Sequence, residues 1–493
     1  MRSWRESYGA AGAALTGPEG SWTAADLALR VDALANVLRV QFRPRAAIAI
    51  LADNSRDWIV ADLAAHEAGM VLVPLPSFFT PAQWQHVLAT ARVEGLFCQR
   101  VEHAAMLGFG RPVDCPGELL LHAGSVPALA VQPGVQKVTF TSGTTAQPKG
   151  VCLSSTQQWE LARVLAAQLA DLDVRRHLNL LPLSVLLENI AGVYTALLSG
   201  ATNVCLPLAQ TGLSGAARFE PVVCLEAIAQ TQAESVILLP QMLLALVAAA
   251  APQDPRLRTL KFMAVGGART PPALITAARS KGFPVYEGYG LSECGSVVAL
   301  NVPGSDRIGS AGRPLPNRQV RIALDGEIEV GGGTMIGYLG AADTRTADGW
   351  LGTGDLGHLD DDGFLHVDGR KNNVLVTAYG RNVSPEWPEA LLLGSGVIAQ
   401  VLVAGEARPF LTAAIVPLRP NLPDAVIDDA VARANAALPD YARVQAWFRA
   451  APFCEADGTA TANGRLRRAA ACARCADQFE QAYQNHTQNH GAE

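Results

Sequence analysis

The sequence predicts an α/β protein with a large N-terminal body of several subdomains, a β-rich segment, and a small α+β C-terminal domain. Three features carry this reading. Short apolar runs alternate with helical stretches up to about residue 300, short strands with Gly-rich turns follow, and strands mix with helices again from about Asn373. At 493 residues the chain also exceeds the size at which a single core usually stops growing, so at least two domains are expected.

The segment from Ser21 opens an amphipathic helix with Thr23 as N-cap candidate. AAIAIL (46–51), a helical stretch from Asp57 to Ala68, and MVLVPL (70–75) make a β-α-β pattern whose apolar runs suit strands buried in a parallel sheet. Further strands are expected at 137–141, 178–182, 201–206, 235–239, 261–266 and 284–286, with helices covering both sheet faces. RQVRIALDGEIEVGGG (318–333) and HLDDDGFLHVDGR (358–370) read as short strands joined by turns, the acidic run Asp360–Asp362 being a hairpin turn rather than a cation loop. IAQVLVAG (398–405) and FLTAAIVPL (410–418) supply the C-terminal strands.

Composition narrows the function classes. With 49% hydrophobic and 17% charged residues the chain is a globular, apolar-rich protein, and a net charge of −6 leaves no electrostatic footprint for nucleic acid. No signal-peptide run opens the chain, and the longest apolar stretch, Met242 to Ala251, is too short to span a bilayer and reads as a buried helix after Pro240. Nine scattered cysteines suit reduced thiols in the cytoplasm, and the lone CxxC pair of Cys472 and Cys475 reads as two thiols on a solvated helix.

The most informative stretch is TFTSGTTAQPKGV (139–151), which follows an expected strand and concentrates hydroxyls, glycines and one lysine. Backbone N–H groups and hydroxyls in such a loop close round phosphate oxygens, and Lys149 adds a mobile cation. It is not a Walker A loop, since Lys149 precedes Gly150 instead of following it. Taken alone, a flexible surface turn is the alternative.

The loop does not stand alone. TSGTTAQPKG (141–150), LPLSVLLENIAG (181–192), VGGA (265–268), YEGYGLSE (286–293), GWLGTGDLG (349–357), GRKNNVLVTAYGRNVSPEWPE (369–389) and TANGRLRR (461–468) follow one another over most of the chain. In order and spacing they resemble the adenylate-forming (AMP-binding) enzymes, and most of all the bacterial long-chain acyl-CoA synthetases. The resemblance implies an N-terminal adenylate-forming domain over 1–371, holding ATP and an acyl substrate, and a mobile C-terminal lid over 372–493.

Residue by residue, the resemblance implies that Thr141, Ser142, Gly143, Thr144 and Thr145 contact phosphate and that Lys149 adds charge. Gly266, Gly267 and Ala268 would lie against adenine, with Tyr289 and Gly290 beside them. Ser292 would meet the α-phosphate, Glu293 would help hold Mg²⁺, and Asp355 would accept the ribose hydroxyls with Arg370 nearby. A hinge follows Arg370, with Asn372 where relatives carry Asp or Lys. Arg465 stands where the family's catalytic lysine bridges carboxylate and α-phosphate, and a planar guanidinium does not replace a compact ammonium by default. Val185 replaces a His common in fatty-acid-activating relatives. Gly380 marks the thiol channel, with Tyr379 where relatives often have Ser.

The implied activity is adenylation of a carboxylic acid, a medium- or long-chain fatty acid on this resemblance, with ATP and Mg²⁺, then transfer of the acyl group to CoA. No general base is required, because a carboxylate is already ionised at neutral pH. Two alternatives stay open: delivery to the phosphopantetheine of an acyl carrier protein, and a nucleotide-binding homologue with impaired turnover.

Overall fold

The computed structural model describes residues 4–7, 12–124, 131–141, 148–214, 218–341, 345–346, 348–378, 381–461 and 464–490. Its N-terminal part is built on two large mixed sheets. One, of nine strands, has at its centre the parallel strands Val285–Tyr289, Phe262–Val265, Ser235–Leu238, Arg176–Leu178 and Thr202–Val204. The other, of eight, runs from Gly337–Tyr338 through Lys149–Ser154, Val135–Thr141, Val71–Pro74 and Ala47–Leu51 to Gly95–Cys98 and two short edge strands.

Local chemistry explains the element boundaries. The helix Ala24–Gln41 starts at a capping box, Thr23 Oγ1 accepting from the Asp26 N–H at 3.1 Å and the Thr23 N–H donating to Asp26 Oδ2 at 2.9 Å. All five residues of Ala47–Leu51 are buried, as a central parallel strand with both faces covered requires. The apolar stretch after residue 240 is the helix Pro240–Ala249, which buries Met242, Leu243 and Leu246.

A fully buried charge pair ties the two sheets' contents together. Lys137, on Val135–Thr141, lies 2.9 Å from Asp62 and donates to Asn189 at 2.5 Å and Tyr194 at 3.1 Å, while Asn189 and Tyr194 both donate to Asp62. With every partner inside the protein, losing either charge would strand the other in a low-dielectric interior. The network pins the strand Val135–Thr141 to Leu187–Tyr194, a π-helical segment.

A four-stranded antiparallel sheet follows: Gln319–Ile322, Glu327–Gly331, Leu351–Leu359 and Leu365–Arg370. Its last hairpin turns at Asp360–Gly363, where Asp360 accepts the N–H groups of Asp362 and Phe364, and Arg307 pairs with Asp360 and Asp362. The acidic run is thus a turn closed by an arginine.

Beyond Arg370 a three-stranded sheet, Ile398–Ala404, Leu411–Pro417 and Val444–Arg449, packs with helices Glu386–Leu393, Asp424–Ala436, Arg468–Arg474 and Ala476–His490. Here one expectation is corrected. Cys472 is half-buried and Cys475 is buried against a cluster containing Phe410, Phe453 and Phe479, so the CxxC pair belongs to the core rather than to a solvated face. Cys475 sits at the junction between the helices Arg468–Arg474 and Ala476–His490, and aromatic packing covers it.

Candidate active site

A cavity of about 1330 Å³ opens where the two large sheets, the four-stranded sheet and the C-terminal part meet. Thr141, Lys149, Gly266, Gly267, Ala268, Tyr289, Gly290, Ser292, Glu293, Asp355, Arg370 and Arg465 all line it. Each described residue singled out from the sequence for ATP or catalysis therefore faces one space. Ser142, Gly143, Thr144, Thr145, Tyr379 and Gly380 lie outside the described residues.

The base of the phosphate loop is fixed by strand pairing. Thr141 and Lys149 sit opposite each other in the antiparallel pair Val135–Thr141 and Lys149–Ser154, and both line the cavity. The strand Gly337–Tyr338 pairs on the far side of Lys149–Ser154 and places the Tyr338 ring 5.8 Å from Lys149 Nζ.

Tyr338 was not legible as a site residue, yet its hydroxyl donates to Glu293 Oε1 at 2.7 Å. Burial, and after it the Glu293 carboxylate, push the Tyr338 hydroxyl up, so it stays a donor. Glu293 sits in the short turn Ser292–Cys294 just after Gly290. A Cβ on Gly290 would lie 1.8 Å from the Ser296 carbonyl oxygen, so only glycine admits that approach. Ser296 itself holds φ at +131°, and its buried Oγ has no hydrogen-bond partner among the described residues. Backbone strain of this kind concentrates at functional sites.

The glycine turn after Val265 and the Tyr289 strand end form one wall of the cavity. Val265 ends a parallel strand, Gly267 adopts a left-handed φ of +82°, and Gly266 backs onto the Gly288 carbonyl. Tyr289 closes the strand Val285–Tyr289 and donates its hydroxyl to Asp355 Oδ2 at 2.6 Å. Asp355 Oδ1 pairs with Arg370 Nε at 2.8 Å, and Arg370 also donates to the Thr353 carbonyl. Each carboxylate oxygen keeps a second lone pair, so these bonds orient Asp355 without exhausting it. Burial pushes its carboxyl above the ordinary value, with Arg370, Tyr289 and Arg465 pulling the other way.

Arg465 reaches this space from the C-terminal part. Thr461 and Arg465 close a turn, the Thr461 N–H donating to the Arg465 carbonyl at 2.7 Å and the Arg465 N–H to Thr461 Oγ1 at 3.0 Å. The guanidinium is open to water in the cavity but walled by protein, and that enclosure, with the positive Arg370 beside it, lowers its pKa. Glu386 joins from the same side, accepting from Ser384 and Asn373, and a Cβ on Gly369 would strike Ser384 Oγ at 1.8 Å.

Away from Asp355 and Arg370 the cavity continues between apolar walls, among them Leu165, Leu169, Val185, Leu187, Ala191 and Phe262. One polar cluster interrupts them: His177 bonds Glu188 and Ser235, each at 2.9 Å.

The family model for AMP-binding enzymes matches residues 4–339, and the model for their C-terminal domain matches residues 372–487. The chain belongs to the AMP-binding enzymes. A long-chain-fatty-acid–CoA ligase of Mycobacterium bovis is 45% identical over 141 residues, 28% of this chain and 24% of that protein's length, so the matched stretch spans about a quarter of that relative. A feruloyl-CoA synthase of Amycolatopsis sp. is 30% identical over 414 residues, covering 78% of this chain and 81% of that one. The o-succinylbenzoate coenzyme A synthetase of Bacillus subtilis, solved with ATP and magnesium ion, shares the fold at a TM-score of 0.75 with 23% identity, over 95% of this chain and 99% of that one.

The donor set of this AMP-binding enzyme fits a nucleotide and its metal. Among the described residues no group of three or more His, Cys, Asp or Glu gathers as a metal site. A single carboxylate such as Glu293 suits Mg²⁺, which takes most of its oxygen ligands from water and phosphate.

Proposed function

We propose that this AMP-binding enzyme is an AMP-forming acid–thiol ligase that uses ATP and Mg²⁺ to convert a carboxylic acid to its acyl-AMP and passes the acyl group to CoA. The observation that carries the reading is the convergence of Thr141, Ser292, Glu293, Asp355, Arg370 and Arg465 on one cavity that continues into an apolar channel. Residues 1–371 hold ATP and the acid, and residues 372–493 act as the mobile lid.

In this reading Asp355 binds the ribose hydroxyls, and Tyr289 and Arg370 fix its orientation. Ser292 and the phosphate loop hold the α-phosphate, and Glu293 would help hold Mg²⁺, which when bound would supply positive charge against the phosphates. Arg465 aligns the incoming carboxylate with the α-phosphorus. A gain from alignment and charge stabilisation suffices, because the nucleophile is an anion from the start.

The acid has a substantial apolar body. A medium- or long-chain fatty acid satisfies the channel, and so does a ring-bearing acid; the names of the relatives include both kinds. Nine free cysteines support a reducing, cytoplasmic setting, and among the described residues no helix is long and apolar enough to cross a membrane. Hydroxylamine trapping of acyl-AMP across aliphatic and aromatic acids, followed by addition of CoA or of a carrier protein, tests the reading. Acyl-CoA formation supports it. Transfer to the carrier alone reassigns the acceptor, and an absence of trapped product with every acid overturns the activity.

A further inference from the structure

The polar cluster in the acyl channel is built, not incidental. His177 and Ser235 are register partners on the neighbouring parallel strands Arg176–Leu178 and Ser235–Leu238, so their side chains leave the sheet side by side. His177 Nδ1 lies 2.9 Å from Ser235 Oγ, and His177 Nε2 lies 2.9 Å from Glu188 Oε1. Glu188, fully buried, also accepts from Asn179 Nδ2 at 3.1 Å and from the Leu181 N–H at 2.9 Å. Gly192, one turn on in the π-helical segment, leaves the space for this contact, since a Cβ there would lie 2.4 Å from Glu188 Oε1.

The hydrogen-bond logic sets the character of what faces the cavity. A carboxylate already taking two other N–H donors is an acceptor toward the imidazole, so the hydrogen sits on Nε2. With one hydrogen on the ring, Nδ1 is the acceptor, and Ser235 donates its own hydroxyl hydrogen to it. Ser235 Oγ, on a residue only 7% exposed that lines the cavity, keeps its acceptor capacity there. A buried acceptor among apolar walls favours an occupant that brings a donor.

Resting on the activity proposed above, we propose that Ser235, oriented by His177 and Glu188, is a specificity residue that selects carboxylic acids carrying a hydroxyl or N–H donor on an otherwise apolar body. Its position sets the range of the donor. Leu238 pairs with Val265, next to the adenine-side Gly266, and Ser235 lies three residues earlier on its strand, so the donor falls roughly 10 Å from the adenylate end.

The test measures kcat/KM for hydroxamate-trapped acyl-AMP with straight-chain acids and with their hydroxy and oxo counterparts, the substituent walked along the chain. One hydroxy position is expected to exceed its parent acid by about tenfold or more, the size of one well-made hydrogen bond. Ser235→Ala should erase that ratio, and an unchanged KM for ATP reports that the variant is folded. An unchanged ratio in Ser235→Ala, a preference for the oxo acid, or an equal loss with every acid would each overturn the assignment while leaving adenylation itself established. Failure of wild-type enzyme to activate any acid would remove both this assignment and the activity on which it rests.

Discussion

Tyr289 and Asp355, 66 residues apart in the chain, meet through a 2.6 Å hydrogen bond that joins the end of a parallel strand to the four-stranded sheet. The bond fixes the carboxylate from one side while Arg370 fixes it from the other. Tyr289→Phe keeps the ring and removes the donor. A hydrogen bond to a charged group is worth about 1.5–3 kcal/mol, so the KM for ATP in pyrophosphate exchange is expected to rise roughly tenfold or more, with a smaller change in kcat. An unchanged ATP dependence would mean that Arg370 alone orients Asp355.

On the proposed reading, Arg465 serves the first half-reaction. It lines the cavity beside Arg370 and Asp355, so Arg465→Ala is expected to slow pyrophosphate exchange by roughly 100-fold, the usual scale for removing one preorganised charge donor. Transfer from added acyl-AMP to CoA should stay within a few-fold of wild type. Undiminished exchange in Arg465→Ala would take the residue out of the chemistry.

Gly369 allows the close approach of Ser384 and Glu386 seen here. An alanine Cβ would sit 1.8 Å from Ser384 Oγ and 2.9 Å from Glu386 Oε2, both on the C-terminal side. Gly369→Ala is expected to disfavour the arrangement that brings Arg465 to the cavity, lowering pyrophosphate exchange about tenfold or more. The double variant Gly369→Ala with Ser384→Gly, which removes the struck atom, should recover part of the rate. Equal exchange rates in wild type and Gly369→Ala would show that the close approach does not matter to adenylation.

Glu287 gives a pH signature. Burial pushes its carboxyl up to about 7 from an ordinary 4.5, and its Oε1 accepts from the Thr270 N–H. The folded state therefore holds this proton more tightly than the unfolded chain does. The stabilisation is complete below about pH 4.5 and is lost as pH rises through 7. Glu287→Gln keeps an acceptor for Thr270 and has no proton to lose, so its melting temperature should fall less than that of wild type between pH 5 and pH 8. The difference is expected on the order of 1 kcal/mol, held down by water in the adjoining cavity. Parallel pH profiles would place the Glu287 carboxyl at its ordinary value.

The fold was legible wherever the determinant is local. The Thr23 cap, the β-α-β unit around Ala47–Leu51 and the Asp360–Gly363 turn each follow from adjacent residues. The division of the strands into two large sheets was not, because pairings such as His177 with Ser235 are fixed by tertiary packing rather than by sequence neighbours. The same reason hid Tyr338 from the site, since only strand pairing beside Lys149–Ser154 brings its hydroxyl to Glu293, 45 residues away. Gly337 and Tyr338 at the end of a glycine-rich run were the available signal. Arg465, by contrast, was legible through its block, and the cavity wall is where it stands.

Gly192 tests whether the channel's polar cluster depends on the shape of the segment that carries it. A methyl group there would come within 2.4 Å of Glu188 Oε1 and 2.7 Å of His177 Nε2, and Glu188 is fully buried. Gly192→Ala must therefore separate His177 from Glu188 or shift the helix, and a buried polar group left without its partner costs about 1–3 kcal/mol. Alanine is the better helix former by up to about 1 kcal/mol, which would raise stability if the space were open. The sign of the change in melting temperature decides between the two effects. The clash is expected to win, with a lower melting temperature and weaker activation of acids long enough to reach Ser235, while short acids such as propionate, which stop before the cluster, lose less.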